Sequence, residues 1–260
     1  MTRRALVTGA GKRLGKAIAT ALAEDGYDIA VHYASSGAPA AEAVAEIEAL
    51  GRKAVALPAD LLKEDETQTL MPRASEALGG PIHVLINNAS IFEYDTIETA
   101  TRESWDRHIE SNLRAPFVLT QALAAQMPPA ELDSNGEPVA QGMVINMIDQ
   151  RVNKLTPQFM TYTIAKMGLW ALTRTSAQGL APHIRVNGIG PGPTMQGARQ
   201  SAEHFAAQRM ATILERGADP DAIVRAVRFF LAEASVTGQL LCVDGGQHLA
   251  WQTPDVLGVE

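Results

Sequence analysis

Thr8-Gly9-Ala10-Gly11-Lys12-Arg13-Leu14-Gly15 stands between a short apolar run, Ala5–Thr8, and an amphipathic stretch near Leu14–Glu24. A strand that turns through glycines into a helix aims backbone N–H groups and the positive helix end at one point. An anionic pyrophosphate is held there, and glycine lets the backbone come close to it. A tight strand-to-helix turn with no ligand has the same signature, so the reading needs support from the rest of the chain.

That support begins with rhythm. Short apolar runs near Ala5–Thr8, Asp28–Tyr33, Ala54–Pro58, His83–Asn87, Met143–Met147, Arg185–Ile189 and Leu240–Val243 predict seven strands. Between them, helical patterns fall near Leu14–Glu24, Ala40–Leu50, Glu64–Leu78, Ser104–Gln126, Tyr162–Leu180 and Asp221–Ala232. Such alternation predicts an α/β fold: a doubly wound (Rossmann) parallel sheet with helices on both faces, as one domain over residues 1–260. Two irregular stretches interrupt it. Pro128–Gln141 reads as a surface excursion, and Gly190–Gly217 as a lid over the strands' carboxyl ends.

The 260 residues, 46% of them hydrophobic and 20% charged, suffice for a full core. With 22 Lys plus Arg against 29 Asp plus Glu, the net charge is −7, which argues against a nucleic-acid partner. One cysteine, Cys242, leaves no internal disulfide, and the six histidines lack zinc-site spacing, so no metal is expected. No apolar run is long enough for a signal peptide or a membrane span, so a cytoplasmic location is expected.

The second strand ends in His32-Tyr33-Ala34-Ser35-Ser36, with no acid where an NAD-binding protein places one on the ribose 2′-hydroxyl. Lys12, Arg13 and the Ser35 and Ser36 hydroxyls suit a 2′-phosphate, so NADPH is expected over NADH. The alternative is that Lys12 and Arg13 are solvated loop charges.

Several motifs in order complete the pattern: the glycine turn, Asp60-Leu61 after the third strand, Asn87-Asn88-Ala89-Ser90 after the fourth, Asn112, Tyr162-x-x-x-Lys166, Pro191-Gly192, and Val243-Asp244-Gly245-Gly246. Together they resemble the short-chain dehydrogenase/reductase family over essentially the whole chain. The resemblance implies a cofactor site of Gly9, Lys12, Arg13, Leu14, His32, Tyr33, Ser35, Ser36, Asp60, Leu61, Asn88, Ala89, Ser90, Tyr162, Lys166, Pro191, Gly192 and Thr194. It implies that Asp60 touches the adenine and that Asn112 holds a water in a proton relay. The alternatives are a turn or cap for Asp60 and a bond to backbone for Asn112. Within the family, Arg13 in place of a glycine and Asn88-Ala89-Ser90-Ile91-Phe92 resemble pteridine reductases. So does Asp149, which stands where most members carry a catalytic serine.

Tyr162 and Lys166 share a helix face, and an adjacent ammonium is expected to lower the phenol's pKa from about 10. A carboxylate at 149 only accepts hydrogen bonds and repels a developing oxyanion, which disfavours ketone reduction. Reducing a pterin C=N bond needs hydride on carbon and a proton on nitrogen, and there an acceptor and proton carrier is appropriate. The expected substrate contacts are Arg13, Phe92, Asp149 and Tyr162, with the Phe92 ring stacking the flat substrate on the nicotinamide. Asp149 as a loop cap turned away and Phe92 as a core plug are the alternatives. The expected activity is NADPH-dependent reduction of a dihydropteridine. A carbonyl or 3-oxoacyl reductase of the same family, and a non-catalytic NADPH sensor, are the competing readings. Leu249, Trp251, Val256 and Leu257 make the tail apolar, consistent with packing on another subunit of a homotetramer or on its own subunit.

Overall fold

Every pairing in the main sheet is parallel, and each of its seven strands falls where the apolar runs predict. The computed structural model describes residues 2–197 and 200–252. In chain order the elements are β1 (Arg4–Val7), α1 (Arg13–Glu24), β2 (Asp28–Tyr33), α2 (Gly37–Ala49), β3 (Ala54–Pro58), α3 (Glu64–Leu78) and β4 (Val84–Asn87). There follow α4 (Arg102–Ile109), α5 (Ala115–Gln126), a small hairpin of β5 (Glu131–Leu132) and β6 (Pro138–Val139), β7 (Gly142–Met147) and α6 (Met160–Leu180). The chain continues through β8 (Ile184–Pro191), α7 (Ala202–Met210), α8 (Pro220–Ala232) and β9 (Leu240–Val243).

The sheet order β3-β2-β1-β4-β7-β8-β9 reverses direction between β1 and β4, and that switch opens a crevice at the strands' carboxyl ends. Apolar runs, not alternation, encode these strands because both faces are covered. Ala5 and Val7 of β1 pack with Ile18 and Leu22 of α1, Ile47 of α2 and Phe230 of α8 on one face. Leu6 between them points the other way, to Leu70 of α3 and Leu119 and Leu123 of α5.

Three departures from expectation concern connections. The helix expected over Ser104–Gln126 is broken: residues Glu110–Arg114 wind as a wider π turn between α4 and α5. Pro116 has no N–H to give the carbonyl of Asn112 four residues earlier, so the regular ladder cannot run through. The excursion 128–141 holds the β5–β6 hairpin, whose turn is closed by the Asp133 carboxylate accepting from the N–H groups of Asn135 and Glu137. The lid stretch contains α7, none of whose residues is buried. It is tied down by Arg209, which donates to the Pro193 and Ala218 carbonyls and pairs with Asp219 at 3.0 Å.

The turn before α1 depends on the lack of a side chain at Gly15. A Cβ there would collide with the Gly9 carbonyl oxygen and stand 2.6 Å from Asn88 Nδ2. Gly15→Ala is therefore expected to cost about 1–3 kcal/mol by overpacking. Calorimetry should show a melting temperature several degrees lower, with weaker nucleotide binding in a titration. An unchanged melting temperature would mean that the turn is not built on this close approach.

Candidate active site

The crevice between β1 and β4 continues into a cleft of about 560 Å³. Of the residues expected to hold a cofactor, Gly9, Lys12, Arg13, Leu14, His32, Tyr33, Ser35, Ser36, Asp60, Leu61, Asn88, Ala89 and Ser90 line it. Tyr162, Lys166, Pro191, Gly192 and Thr194 do not line this cleft. Ser90 joins the two groups, since its hydroxyl also acts on the Tyr162 phenol, lowering its pKa against the larger effects of burial and Asp149. Arg107 and Ser111 line the cleft too and escaped the sequence reading. Their four-residue spacing just before Asn112 was the available signal.

α1 has no side-chain cap and no acid in its first turn, which leaves its N-terminal N–H groups for an anion. Arg13 adopts φ 55°, the left-handed region that glycine tolerates freely, and its Nη2 donates to the Met195 carbonyl at 3.3 Å. An arginine in that conformation costs about 1–2 kcal/mol, so the guanidinium that spans the phosphate turn and the segment after β8 is held against strain.

Several side chains expected on the cofactor are engaged by the turn itself. His32 is buried, with Nδ1 accepting from the Gly9 N–H at 3.0 Å and Nε2 facing the Ala59 carbonyl at 3.0 Å. Both ring nitrogens are thus used to clamp the phosphate turn to the end of β3. Asn88 Nδ2 donates to the Thr8 and Gly9 carbonyls, and the Thr8 hydroxyl accepts from the N–H groups of Asn88 and Ala89. One Asp60 carboxylate oxygen accepts from the Leu62 N–H, closing a turn ahead of α3 while the residue lines the cleft.

Beyond Ser90 the proton-transfer candidates meet. The Tyr162 phenol, 5% exposed, donates to Asp149 Oδ2 at 2.9 Å. Asp149 Oδ1 accepts from the Arg151 N–H at 2.8 Å, capping a short helical turn over Gln150–Asn153. The carboxylate therefore does both things that its sequence position allowed, capping a loop and facing the phenol. Lys166, 2% exposed, donates to the Met147 carbonyl at 2.7 Å, and its ammonium lies 5.6 Å from the centre of the Tyr162 ring.

The electrostatics correct one expectation. Burial first, and then the charge and hydrogen-bond acceptance of Asp149, push the Tyr162 pKa well above its ordinary value, opposite to the lowering expected from Lys166. Burial likewise raises Asp149 above the usual carboxylate range, against the Arg151 N–H and the phenol. Burial lowers Lys166 to about 8, with Asp149 opposing. The pair shares a proton and neither member is predisposed to give it up.

Asn112 makes the bond to backbone that was one of its two expected roles. Its Oδ1 accepts from the Ile91 N–H at 2.9 Å and its Nδ2 donates to the Ile91 carbonyl at 2.8 Å. Its amide thus grips the peptide just before Phe92. Phe92, 44% exposed, stacks on Phe159 with centroids 4.3 Å apart and meets the Tyr162 ring edge-on at 4.7 Å. Phe159 was missed, although it lies three residues before Tyr162 and so at helical spacing from it. The Arg151 guanidinium lies over Phe159 at 5.1 Å. Thr194 donates to the Gly192 carbonyl, and Gly192 packs so closely on Asp244 that a Cβ would stand 2.6 Å from its Cα. Leu249 and Trp251 are exposed, whereas Val256 and Leu257 lie outside the described residues.

A parallel doubly wound sheet, a glycine turn at its switch point and a Tyr-Lys pair beside the crevice define a dinucleotide-dependent oxidoreductase. A short chain dehydrogenase family model matches residues 3–206, and the chain belongs to that family. It is 41% identical to a solved structure of FolM alternative dihydrofolate reductase 1 from Brucella suis in complex with NADP, with a TM-score of 0.90 and 98% of each chain covered. The Brucella canis counterpart, also with NADP, is 40% identical with a TM-score of 0.88. The 3-oxoacyl-(acyl-carrier-protein) reductase FabG of Staphylococcus epidermidis is 31% identical over 254 residues, which span 96% of this chain and 100% of that one.

His32 gives the phosphate turn a pH dependence. Burial lowers its pKa from 6.5 to about 4, so the ring stays neutral in the fold. As pH falls below 6.5 the unfolded chain takes a proton that the folded chain refuses. Stability is therefore full above that pH and is lost progressively down to about 4, by about 3 kcal/mol at the limit. Melting temperatures measured across this window should fall more steeply for the wild type than for His32→Gln. Parallel curves would show that the imidazole is not what titrates.

Proposed function

We propose that this chain transfers hydride from NADPH to a dihydropteridine, reducing a ring C=N bond to give the tetrahydro form. The observation that carries this reading is the 2.9 Å hydrogen bond from the Tyr162 phenol to Asp149 Oδ2. The cofactor fits the cleft: uncapped N–H groups at α1 meet a phosphate, while Lys12, Arg13, Ser35 and Ser36 meet a 2′-phosphate with no carboxylate to repel it. Both FolM neighbours contain NADP. Bound there, NADPH supplies the hydride.

The chain's own residues supply the rest. The donors of a pterin's ring N–H and amino groups match a carboxylate acceptor, whereas a ketone oxygen gaining negative charge would face repulsion from Asp149. The phenol gives its proton to the ring nitrogen as the neighbouring carbon takes hydride. Because burial disfavours phenolate, the proton given up is replaced from solvent: Asp149, ionised beforehand and with its pKa raised, takes that proton up and passes it to Tyr162 after the transfer. Lys166, with its charge set beside Asp149, would hold the nicotinamide ribose of a bound cofactor. Phe92, backed by Phe159, offers a flat face of about 1 kcal/mol stacking value to a planar ring.

The FabG relatives favour a second reading, reduction of a 3-oxoacyl thioester or other ketone. NADPH consumption should be measured with dihydropterins, dihydrofolate, small ketones and 3-oxoacyl thioesters. Turnover of dihydropteridines is expected, and turnover of ketones alone would end the proposal. NADPH binding without turnover of any compound would favour a sensor. Asp149→Ser is expected to cut dihydropteridine turnover by about 100-fold while leaving NADPH affinity within a few-fold of the wild type. Undiminished turnover in the variant would remove the carboxylate from the mechanism.

A further inference from the structure

Behind the phenol lies a polar cluster that this chemistry does not use. Asp95 is 2% exposed, and among the described residues it enters no ion pair. Its Oδ1 accepts from the Thr161 N–H at 3.2 Å, and its Oδ2 accepts from the Thr161 hydroxyl in a short bond and from Ser104 Oγ at 3.1 Å. Its carbonyl accepts from the N–H groups of Phe159 at 2.8 Å and Met160 at 3.4 Å. The N–H groups that open a helix have no partner within it, and Phe159, at the N-cap of α6, has no side chain to serve them. A residue from a distant loop caps the helix instead.

The direction of the hydrogens can be read from the partners. The Glu93 N–H donates to His108 Nε2 at 3.1 Å, so the neutral ring carries its proton on Nδ1 and donates it to Thr161 Oγ1 at 2.7 Å. Thr161 must then pass its own hydrogen to Asp95. Burial lowers the His108 pKa, which keeps that ring neutral, and the ring lies edge-on to Tyr162 with centroids 5.9 Å apart. For Asp95, burial alone would raise the pKa, but the bonds from Thr161 and Ser104 outweigh it and keep the carboxylate ionised. Phe159 itself sits at φ 56° and ψ 47°, a left-handed conformation that phenylalanine adopts only at a cost of about 1–2 kcal/mol.

A buried carboxylate without a cation and a strained phenylalanine are an expensive way to start a helix, since a serine or aspartate at the N-cap would satisfy the same N–H groups locally. A remote cap does one thing that a local cap cannot: it joins two segments. Asp95 lies on the stretch that carries Ser90, beside the cofactor cleft, and Phe92; the turn it caps carries Tyr162. We infer that Asp95, with Thr161 and His108, is a positioning residue for the proton donor, fixing where the Tyr162 phenol stands relative to the cofactor cleft and the Phe92 ring. The inference rests on Tyr162 as the donor and holds for either substrate class proposed above.

The test uses the full chain and whichever compound the wild type reduces. Thr161→Val removes the hydroxyl and keeps the branched shape, whereas Thr161→Ser keeps the hydroxyl. Thr161→Val and Asp95→Asn should each lower kcat about tenfold with NADPH affinity within twofold, and the double variant should be no worse than the poorer single one. Thr161→Ser should recover kcat to within a few-fold. A purely structural role would lower the melting temperature and leave the kcat of the folded protein unchanged, and that result would overturn the inference. So would Thr161→Ser behaving like Thr161→Val. Tyr162→Phe is the control: wild-type turnover in that variant would refute Tyr162 as donor and the inference with it, whereas an inactive Tyr162→Phe beside fully active Asp95→Asn would refute the positioning role alone.

Discussion

The phenol of Tyr162 and the carboxylate of Asp149 face each other across 2.9 Å, and the rest of the site is arranged around that bond. A hydroxyl in place of the carboxylate would donate to an oxygen becoming negative. A carboxylate can only accept while ionised, and it makes the neighbouring phenol harder to ionise. The site thus sets an acceptor of hydrogen bonds beside the phenol instead of a donor. Each surrounding contact keeps the pair in register: the Arg151 N–H fixes one carboxylate oxygen, the Met147 carbonyl holds Lys166 nearby, and Asp95 fixes the turn that carries the phenol.

The sheet was legible in the sequence because strands buried on both faces leave unbroken apolar runs, and Ala5, Leu6 and Val7 are fully buried in just this way. The phosphate turn was legible for a different reason, since its place directly after a strand is fixed by local geometry, whereas Asp149 was legible only through the resemblance to the family, which marks the position where most members carry a serine. What could not be read was set by partners distant in sequence. The π turn at Glu110–Arg114 looks helical in periodicity, and only the missing N–H of Pro116 betrays it. The remote cap by Asp95 leaves no local trace, because its partners lie more than sixty residues away.

The same distinction explains the contacts that several expected site residues make. His32, Asn88 and Asn112 carry polar groups that must find partners once buried, and a sequence does not say whether the partner is a ligand or the protein's own backbone. In each case it is backbone, yet the backbone in question borders the cofactor cleft or Phe92. Lys166 misled in another way. Helical spacing puts it on the face of Tyr162, but a long flexible side chain reaches past the phenol to the Met147 carbonyl, and burial sets the phenol's pKa.

Arg13 shows how strain can be placed where it has a use. A glycine would adopt φ 55° without cost, but it would bring no charge to the phosphate turn and no link to the Met195 carbonyl in the segment after β8. From the left-handed turn the guanidinium reaches the Met195 carbonyl, in the segment that follows β8. Phe159 repeats the arrangement on the other side, with its ring between Phe92 and the Arg151 guanidinium. Two non-glycine residues in the left-handed region, one on each flank of the site, each cost about 1–2 kcal/mol. Both place a cationic or aromatic group that regular backbone would have directed elsewhere, which is where stored strain is expected to concentrate.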